Sequence, residues 1–338
     1  MGFHSEAPLI AAGGGGCEKR GGMPGSATSD FTDAEHYRAE LSDVFASVVI
    51  TSPGAFTART TRNTLNRFHL LRVRENLPRV AFASLPADRV FISLSFDPGG
   101  HLIWRGLTLE PGEIMLHGRG ERLHQRTVGP CSWGFISLSP GLLAAAFKTE
   151  TGRAVALPVL GRVLRTSPHD LKCLMRVQRD AARLAETRPH ILSHPKVIHA
   201  MEQELEGALM ACLTNCEVRP ESAAMRQASE IMVRFEDVLA AHPYQKMRLA
   251  EVCRELDVTG RMVHTYCGTF LGVTPQKYMR LRRLHLVHAA ILRGNSESAG
   301  VAEYARWAGF TDPGRFAARY RAVFGETPAT TLRRARDT

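Results

Sequence analysis

The sequence predicts an α+β protein with an antiparallel β-barrel in its first half and an all-helical domain of two helix-turn-helix units at its end. Two observations predict this division. Residues 40–140 contain many short segments in which apolar and polar residues often alternate, with turn residues between the segments. The last quarter of the chain contains one helical pattern twice. At 338 residues the chain has room for about two domains of ordinary size.

The N-terminal residues are glycine-rich and predict a disordered segment over residues 1–30. Its apolar stretch Ala7–Ala12 has no basic residue before it, so no signal peptide is predicted. The longest apolar runs, such as Val44–Ile50, are too short to cross a bilayer. The seven cysteines contain no Cys-x-x-Cys pair, which favours reduced thiols in a cytoplasmic protein.

Eight short segments predict the strands of the barrel, which we assign to residues 31–165. They alternate, or they are rich in β-branched and aromatic residues, and turn sequences such as Asp97–Gly100 and Glu110–Gly112 separate them. Closely spaced strands of this length favour a small antiparallel barrel or jelly roll. The segments are Leu65–Arg74, Val80–Ser84, Arg89–Phe96, His101–Trp104, Leu107–Leu109, Glu113–Leu116, Arg122–Val128 and Ser132–Leu138.

Helices are predicted after the barrel. The first is Gly141–Lys148, preceded by Ser139-Pro140. Apolar residues at helical spacing then predict two amphipathic helices, Pro168–Thr187 and Pro195–Cys216, in a linker region of residues 166–222. Their apolar stripes either pack inside one subunit or form a dimer contact, and we expect a homodimer.

The C-terminal domain is assigned to residues 223–338, after the polar stretch Asn215–Ser222, and it begins with a predicted helix at Ala223–Ala241. It holds 18 Lys/Arg against 11 Asp/Glu, whereas the first 222 residues hold 25 against 22. The last third therefore carries +7 of the net charge of +10. Such an excess is expected of a surface that meets phosphate groups, although a basic surface that serves only solubility would look the same.

The repeated pattern is the most informative feature of this domain. Leu249–Thr259 and Val301–Thr311 align without a gap at an offset of 52 residues. Each copy predicts a short helix, a tight turn and a second helix, which is the outline of a DNA-reading helix-turn-helix. We place the two units at residues 248–270 and 300–324.

Small residues and turn residues support both units. Cys253 and Ala305 stand where the second helix of each unit must cross the first closely. Asp257-Val258 makes the first turn, and Gly309 supplies the glycine of the second.

The second helices, Gly260–Phe270 and Pro313–Phe324, are predicted to present polar side chains to DNA. Their apolar residues recur four apart and face inward, at Val263 and Cys267, and at Phe316 and Tyr320. Outward side chains near the start of such a helix reach base edges in the major groove, where Arg binds guanine with two hydrogen bonds. The predicted base-facing residues are Arg261, His264, Thr265, Arg315 and Arg319.

A second group is expected to cap these helices or to contact the DNA backbone. Thr259 and Asp312 are placed as N-caps, the latter followed by proline. The connecting helix, Pro275–Leu292, is basic and is expected to hold the units about one DNA turn apart. The group comprises Thr259, Thr311, Asp312, Lys277, Arg282 and Arg321.

Four segments of this domain carry a resemblance to a known family: Ala308–Phe316, Phe324–Pro328, Leu271–Pro275 and Arg283-Leu284. With them, residues from about 225 to 335 resemble the DNA-binding domain of the AraC/XylS family of bacterial transcription regulators. The resemblance implies a cytoplasmic, sequence-specific regulator and an activator that responds to a small effector. It further implies promoter DNA and RNA polymerase as partners and a cupin-like barrel as the sensor. Leu109–Leu116 and Phe135–Pro140 resemble segments of such barrels.

The chain departs from the family pattern at four positions. Cys267 stands where an aromatic residue is usual, and Ala318 stands where Arg is common. His264 and Thr265 replace longer polar side chains. These changes favour a first unit with fewer direct base contacts and a second unit that carries more.

The effector site is the least determined part of the prediction. Arg72, Arg74, Arg105 and Trp104 are candidates if the effector is a carboxylate, although an ordinary solvated β face is the alternative. The pair His117 and His124 lacks the close spacing of a metal site, so no metal or other cofactor is expected.

No catalytic residues are predicted, because no Ser/His/Asp set can be assembled by spacing. Two rival functions stay open. A barrel-fold enzyme with an appended DNA-binding domain would show convergent acid–base residues in the barrel. A DNA-binding protein without an effector would bind DNA regardless of sequence.

Overall fold

A computed structural model describes residues 25–97, 99, 101–154, 157–243, 245–294 and 300–337. Strands dominate the first half of this part of the chain and helices the second, as predicted for an α+β protein. Most of the predicted N-terminal tail, residues 1–24, lies outside the described residues.

The strands of the described residues form two antiparallel sheets. One sheet has the order β1-β3-β4-β11-β6-β9-β12-β13 and the other the order β2-β5-β10-β7-β8. The strands are β1 (Gly25–Phe31), β2 (Phe45–Ile50), β3 (Ala58–Thr64), β4 (Phe68–Glu75), β5 (Arg79–Ser84), β6 (Val90–Ser95), β7 (Leu102–Trp104), β8 (Leu107–Thr108), β9 (Glu113–Leu116), β10 (Arg122–Thr127), β11 (Cys131–Leu138), β12 (Arg162–Thr166) and β13 (Cys216–Val218).

The predicted barrel is not closed. The two sheets share no strand within the described residues, and they pack face to face over an apolar interior that includes Tyr37, Leu123 and Trp133. Alternation along a strand shows which residues face the interior, but it does not show which strand lies next to which. The alternation of residues therefore could not predict whether the strands close into a barrel.

All eight predicted strands are confirmed, as β4 to β11, with ends that differ by at most three residues. Five others were missed. The assignment of residues 25–30 to a disordered tail is wrong, because Gly25–Phe31 pairs along its whole length with Ala58–Thr64. This segment is polar and exposed in part, so its order comes from hydrogen bonds to β3 rather than from a hydrophobic pattern.

Eleven α-helices follow or interrupt the strands of the described chain. Those at 168–187, 223–241, 275–292 and 313–324 begin and end where predicted, whereas the first and the last helix were missed. The helices are α1 (Ala34–Glu40), α2 (Pro140–Thr151), α3 (Pro168–Thr187), α4 (Pro195–Thr214), α5 (Ala223–Ala241), α6 (Leu249–Leu256), α7 (Gly260–Leu271), α8 (Pro275–Leu292), α9 (Val301–Trp307), α10 (Pro313–Phe324) and α11 (Pro328–Arg336). None of them, over the residues described, has the length and apolarity needed to span a bilayer.

Helices cover the outer face of each sheet. Leu174 of α3 and Leu205 of α4 belong to an apolar cluster with the eight-stranded sheet, so the apolar stripes of these helices pack within the chain. On the other side, Val49 and Val80 of the five-stranded sheet join the core of the C-terminal helices around Phe235. The helical domain is thus docked on a sheet.

Candidate nucleic-acid interface

The two predicted helix-turn-helix units are present, as α6–α7 and α9–α10. Their turns adopt the same left-handed conformation at equivalent positions, with φ of 55° at Asp257 and 71° at Gly309. Aspartate tolerates this region better than most residues with a Cβ. Glycine is needed in the second turn because a Cβ on Gly309 would lie 2.9 Å from Lys246 Cβ.

The second helix of each unit buries the face that the spacing predicted. Val263 and Cys267 of α7 are buried, and so are Phe316 and Tyr320 of α10. A small residue lies at the crossing in both units: Cys253 Sγ is 4.0 Å from the position that a Cβ on Gly260 would occupy, and Ala305 is buried. Internal packing therefore decides which way each second helix faces.

The predicted base-facing side chains are all exposed, and they cluster toward the starts of α7 and α10. Arg315 has 79% of its side chain exposed and lies 3.3 Å from Asp312 Oδ2. In α7, Thr265 Oγ1 donates to the carbonyl of Arg261 at 3.0 Å. The members of the set are Arg261, His264, Thr265, Arg315 and Arg319. Contact with bases remains a prediction for each of them.

Local caps start both second helices. Thr259 Oγ1 accepts from the N–H of Met262 at 3.3 Å, and Asp312 Oδ1 accepts from the N–H of Arg315 at 2.9 Å. The second turn is one residue longer than the first, so Asp312 rather than Thr311 is the counterpart of Thr259. Thr311 therefore does not cap α10, and its contact with the DNA backbone stays a prediction.

Lys277 and Arg321 are exposed, as a contact to phosphate requires. Arg282 is not placed for such a contact, and its assignment to the DNA backbone is corrected. Its guanidinium donates to the carbonyl of Leu239 at 3.0 Å and lies 3.4 Å from Glu236 Oε2. This side of α8 packs on α5, so Arg282 forms its ion pair with Glu236 inside the domain.

Comparisons with known proteins agree with this geometry. Residues 252–334 match the family model described as a helix-turn-helix domain. The "XylDLEGF operon transcriptional activator 3" of Pseudomonas putida is 28% identical over 239 residues, which is 70% of each chain. The "Probable thc operon regulatory protein" of Rhodococcus erythropolis is 31% identical over 141 residues, 41% of this chain and 42% of that protein. The chain is a DNA-binding transcription regulator, similar to regulators of the AraC/XylS type.

One solved structure similar to this regulator is that of the AraC-like transcriptional activator CuxR. The likeness covers 78% of this chain and 96% of that chain, at 16% sequence identity and a TM-score of 0.40.

The DNA-binding domain of this regulator is held to the five-stranded sheet by buried polar contacts. His124 of β10 lies 3.0 Å from Glu236 Oε1 of α5, and Tyr278 of α8 donates to the same oxygen. Burial of Glu236 raises its pKa, but the hydrogen bond to His124 and the charge of Arg282 outweigh burial, and its pKa lies below the usual value. A buried carboxylate thus joins a sheet strand to two helices of the reading domain.

A second contact reaches the other helix-turn-helix unit. Asp33, the N-cap of α1, lies 2.6 Å from His288 Nε2 on α8. The other ring nitrogen of His288 lies 2.6 Å from the hydroxyl of Tyr320 on α10. Burial opposes ionisation of Asp33, yet the hydrogen bond and charge of His288 hold the pKa of Asp33 well below its ordinary range.

The four residues predicted for the effector pocket are not brought together. Trp104 lies inside the sandwich, whereas Arg105 is buried and points toward the connector before α5, where it binds Glu221 at 2.9 Å. Arg72 alternates with the interior residues of β4 and lies over the Phe96 ring at 4.6 Å, on the outer face of the eight-stranded sheet. Arg74 is exposed on the same face.

The interior of the sandwich contains a small cavity of about 10 Å³ lined by Ser93, Trp104 and His117 among aromatic neighbours. Trp104 Nε1 is buried and has no hydrogen-bond partner among the described residues. Gln125 of β10 lies opposite Trp104 of β7, and its side-chain amide also has no hydrogen-bond partner among the described residues. Polar groups of this kind are costly to bury and mark a place for water or a ligand.

The structure brings together Ser93, His117 and Glu121, a set that spacing did not reveal. Ser93 Oγ lies 2.9 Å from His117 Nε2, and His117 Nδ1 lies 3.7 Å from Glu121 Oε2. The order resembles a nucleophile, base and carboxylate. Ser93 and His117 both line the interior cavity, which in this arrangement has a volume of about 10 Å³. Within the described residues, no group of three His, Cys, Asp or Glu side chains could hold a metal ion.

Sequence reasoning missed Asp33, His288, Glu221 and Glu236. Each pairs with a residue more than 100 positions away, so no local pattern pointed to it. The sequence did contain one indication that Arg105 is unusual. Arg105-Gly106 separates two short strands by two residues, and Arg is an unusual choice for such a hairpin turn.

Proposed function

We propose that this protein is an activator of the AraC/XylS family that binds double-stranded promoter DNA through both units and responds to a small effector. The observation that carries the proposal is the shared polarity of α7 and α10. Each buries its apolar face in the domain and exposes polar or basic side chains near its start. The names of similar proteins, which include operon transcriptional activators, support activation.

For DNA contact we propose two groups of residues. The base-facing group is Arg261, His264, Thr265, Arg315 and Arg319, with Lys277 and Arg321 contacting phosphates. The N–H groups at the starts of α7 and α10 add positive partial charge where phosphates would pass. Because α8 packs against a helix of each unit, α7 and α9, both units are proposed to enter the major groove on one face of the duplex, about one turn apart.

For the effector we propose the interior of the sandwich, which we take to be a cupin-like jelly roll. The aromatic walls and the unpartnered indole N–H of Trp104 favour a compact, largely apolar molecule with one hydrogen-bond acceptor. RNA polymerase is the proposed partner in activation. A homodimer and a cytoplasmic location are proposed with the family, and the dimer would use surfaces other than the buried stripes of α3 and α4.

Selection from a pool of random-sequence duplexes by the full-length protein tests the DNA-binding part. We expect one enriched sequence and two protected patches about 10 base pairs apart, centred on the major groove. Enrichment of no sequence, with binding that depends only on salt, would instead indicate an effector-independent architectural protein. Transcription in vitro from a promoter that carries the selected site then tests activation.

A further inference from the structure

We propose that Arg105 is the positioning residue through which occupation of the interior cavity sets the orientation of the DNA-binding domain. This inference deepens the proposed function and rests on it. It names the regulation of the sensor, which the effector hypothesis by itself leaves open. Three independent features of Arg105 carry it: its backbone, its guanidinium contacts and its place beside the cavity wall.

The backbone of Arg105 is held in an unfavourable conformation. Arg105 and Gly106 are the two central residues of the hairpin between β7 and β8, with φ of 51° and 75°. Positive φ at both positions is typical of a type I′ turn, which favours Asn, Asp or Gly at the first of them. A side chain as long as Arg persists in this region only where its surroundings hold it.

The hairpin is pressed against the first helix-turn-helix unit. A Cβ on Gly106 would lie 3.0 Å from Thr269 Cγ2 and 3.3 Å from the Phe270 ring, both on α7. A movement of this turn would therefore be transmitted directly to a recognition helix.

The guanidinium of Arg105 joins two parts of the molecule. On the sheet side, it donates to the carbonyl of Gly161 at 2.7 Å and lies 3.3 Å from Glu121 Oε1. On the helical side, it binds Glu221 at 2.9 Å and donates to Ser229 Oγ of α5 at 3.3 Å. Arg105 is fully buried, and a buried charge is stable only while its partners are in place. The start of α5 is thereby fixed relative to the sheet.

The cavity wall lies next to this junction. Trp104 precedes Arg105 in the chain, and its ring meets the His117 ring edge-on at 4.6 Å. His117 in turn lies 3.7 Å from Glu121, which contacts Arg105. A cavity of 10 Å³ holds about one water molecule, so any larger ligand must displace the wall. Displacement of Trp104 moves the adjoining backbone of Arg105.

The regulation then has a definite form. In one arrangement Arg105 binds Glu221 and Ser229, and α5 and α7 keep their present positions. In the other, a ligand in the cavity shifts the hairpin, and the junction with Glu221 is weakened. The ligand changes DNA affinity by the difference between its affinities for the two arrangements.

An engineered cavity with a known occupant tests this mechanism without knowledge of the natural effector. Trp104→Ala removes an indole side chain, and free indole is the probe that refills the space. Binding of indole is measured as a rise in the melting temperature of the full-length variant. Affinity for the duplex that the wild-type protein selects is measured with and without indole.

Two matched changes of a carboxylate to an amide distinguish the contact between Arg105 and Glu221 from the other contacts between the sheet and the helical domain. Glu221→Gln weakens the partner of Arg105. Asp237→Asn weakens a different contact between the domains, the ion pair of Asp237 with Arg122 on β10. We expect indole to raise the melting temperature of Trp104→Ala in all three backgrounds. We expect it to change DNA affinity by at least about fivefold in Trp104→Ala and in Trp104→Ala/Asp237→Asn, and by less than about twofold in Trp104→Ala/Glu221→Gln.

An equal response to indole with and without Glu221 would overturn the role of Arg105, as would stabilisation of Trp104→Ala by indole without any change in DNA affinity. If Trp104→Ala does not fold, Phe91→Ala with benzene as the probe repeats the experiment at the same cavity, with the same outcomes. Failure of the wild-type protein to select any duplex would contradict the proposed function itself, and it is recognised before indole is added.

Discussion

Asp33 and His288 are 255 positions apart in the chain, yet Asp33 Oδ2 lies 2.6 Å from His288 Nε2. The pair joins the start of α1 to the helix that connects the two helix-turn-helix units. Through His288, the contact extends to Tyr320 on the second recognition helix. The start of α1 therefore helps to hold the second helix-turn-helix unit in place. His124 of β10 does the same for the first unit, through its contacts with Glu236 and Phe270.

Replacement of Asp33 by Asn is expected to lower the free energy of unfolding by about 1–3 kcal/mol at pH 7, since a buried charged hydrogen bond is lost. The pKa of Asp33 is lowered in the folded state, so its stabilisation is present above the unfolded pKa of about 4 and fades as the pH falls below it. Urea denaturation at several pH values measures this. Asp43→Asn, which removes a half-exposed ion pair with Arg62, is the control and should change little. A difference between wild type and Asp33→Asn that grows toward low pH would contradict the assignment.

His285 is expected to make the protein less stable as the pH falls below about 6.5, the unfolded pKa of histidine. Burial, helped by the charge of His288, lowers the pKa of His285 to about 3, and its Nε2 accepts from the N–H of Ile50 at 3.0 Å. Between these two pKa values the unfolded chain binds the extra proton, so stability declines by up to about 1.4 kcal/mol per pH unit.

His285→Gln removes this titration while it keeps an acceptor for Ile50. Its free energy of unfolding should therefore decline less steeply than that of the wild type between pH 7 and pH 5. Parallel slopes would mean that His285 is protonated in the folded protein or that its imidazole is not buried.

Arg315→Ala is expected to weaken specific DNA binding by about 1–3 kcal/mol, with relaxed preference at one base position. Arg183→Ala on α3 is the matched control, because it removes the same charge from a side chain that is 73% exposed and far along the chain from either unit. Titration of the selected duplex at fixed salt measures both. An Arg315→Ala protein with wild-type affinity and an unchanged footprint would show that Arg315 does not contact the bases.

Gly309→Ala is expected to destabilise the protein more than Gly325→Ala does. Both glycines have positive φ, 71° and 76°, so either substitution costs about 1 kcal/mol for the left-handed backbone. A Cβ at Gly325 meets nothing within 4 Å, whereas at Gly309 it would lie 2.9 Å from Lys246 Cβ. Chemical denaturation of the two variants measures the difference. Equal losses would show that the second turn has room for a side chain.

The helices were largely predictable because the groups that start and end them lie close in sequence. Thr259 and Asp312 cap through the N–H three residues on, and Gly272 ends α7 with a left-handed residue. The same holds for the outward set on α7 and α10, since helical periodicity places it opposite Val263 and Phe316.

The strands were predicted one by one, but not as a sheet. Alternation identified β4 to β11, whereas β1 is ordered by its partner β3 and carries no pattern of its own. Arg282 looked like other basic residues of its helix, and only the packing of α8 on α5 turned it inward to Glu236.

By itself the sequence determined the duplicated helix-turn-helix units and the polarity of their second helices, because each depends on residues within a few turns of one another. The tertiary structure decided that the sheets form an open sandwich, that the helical domain docks on one of them, and that Arg105 binds Glu221 across 116 positions of sequence. The physical reason is that burial and charge pairing between distant segments are settled only when the segments meet. Residue type and spacing along the chain do not encode which of many possible partners a buried charge will find.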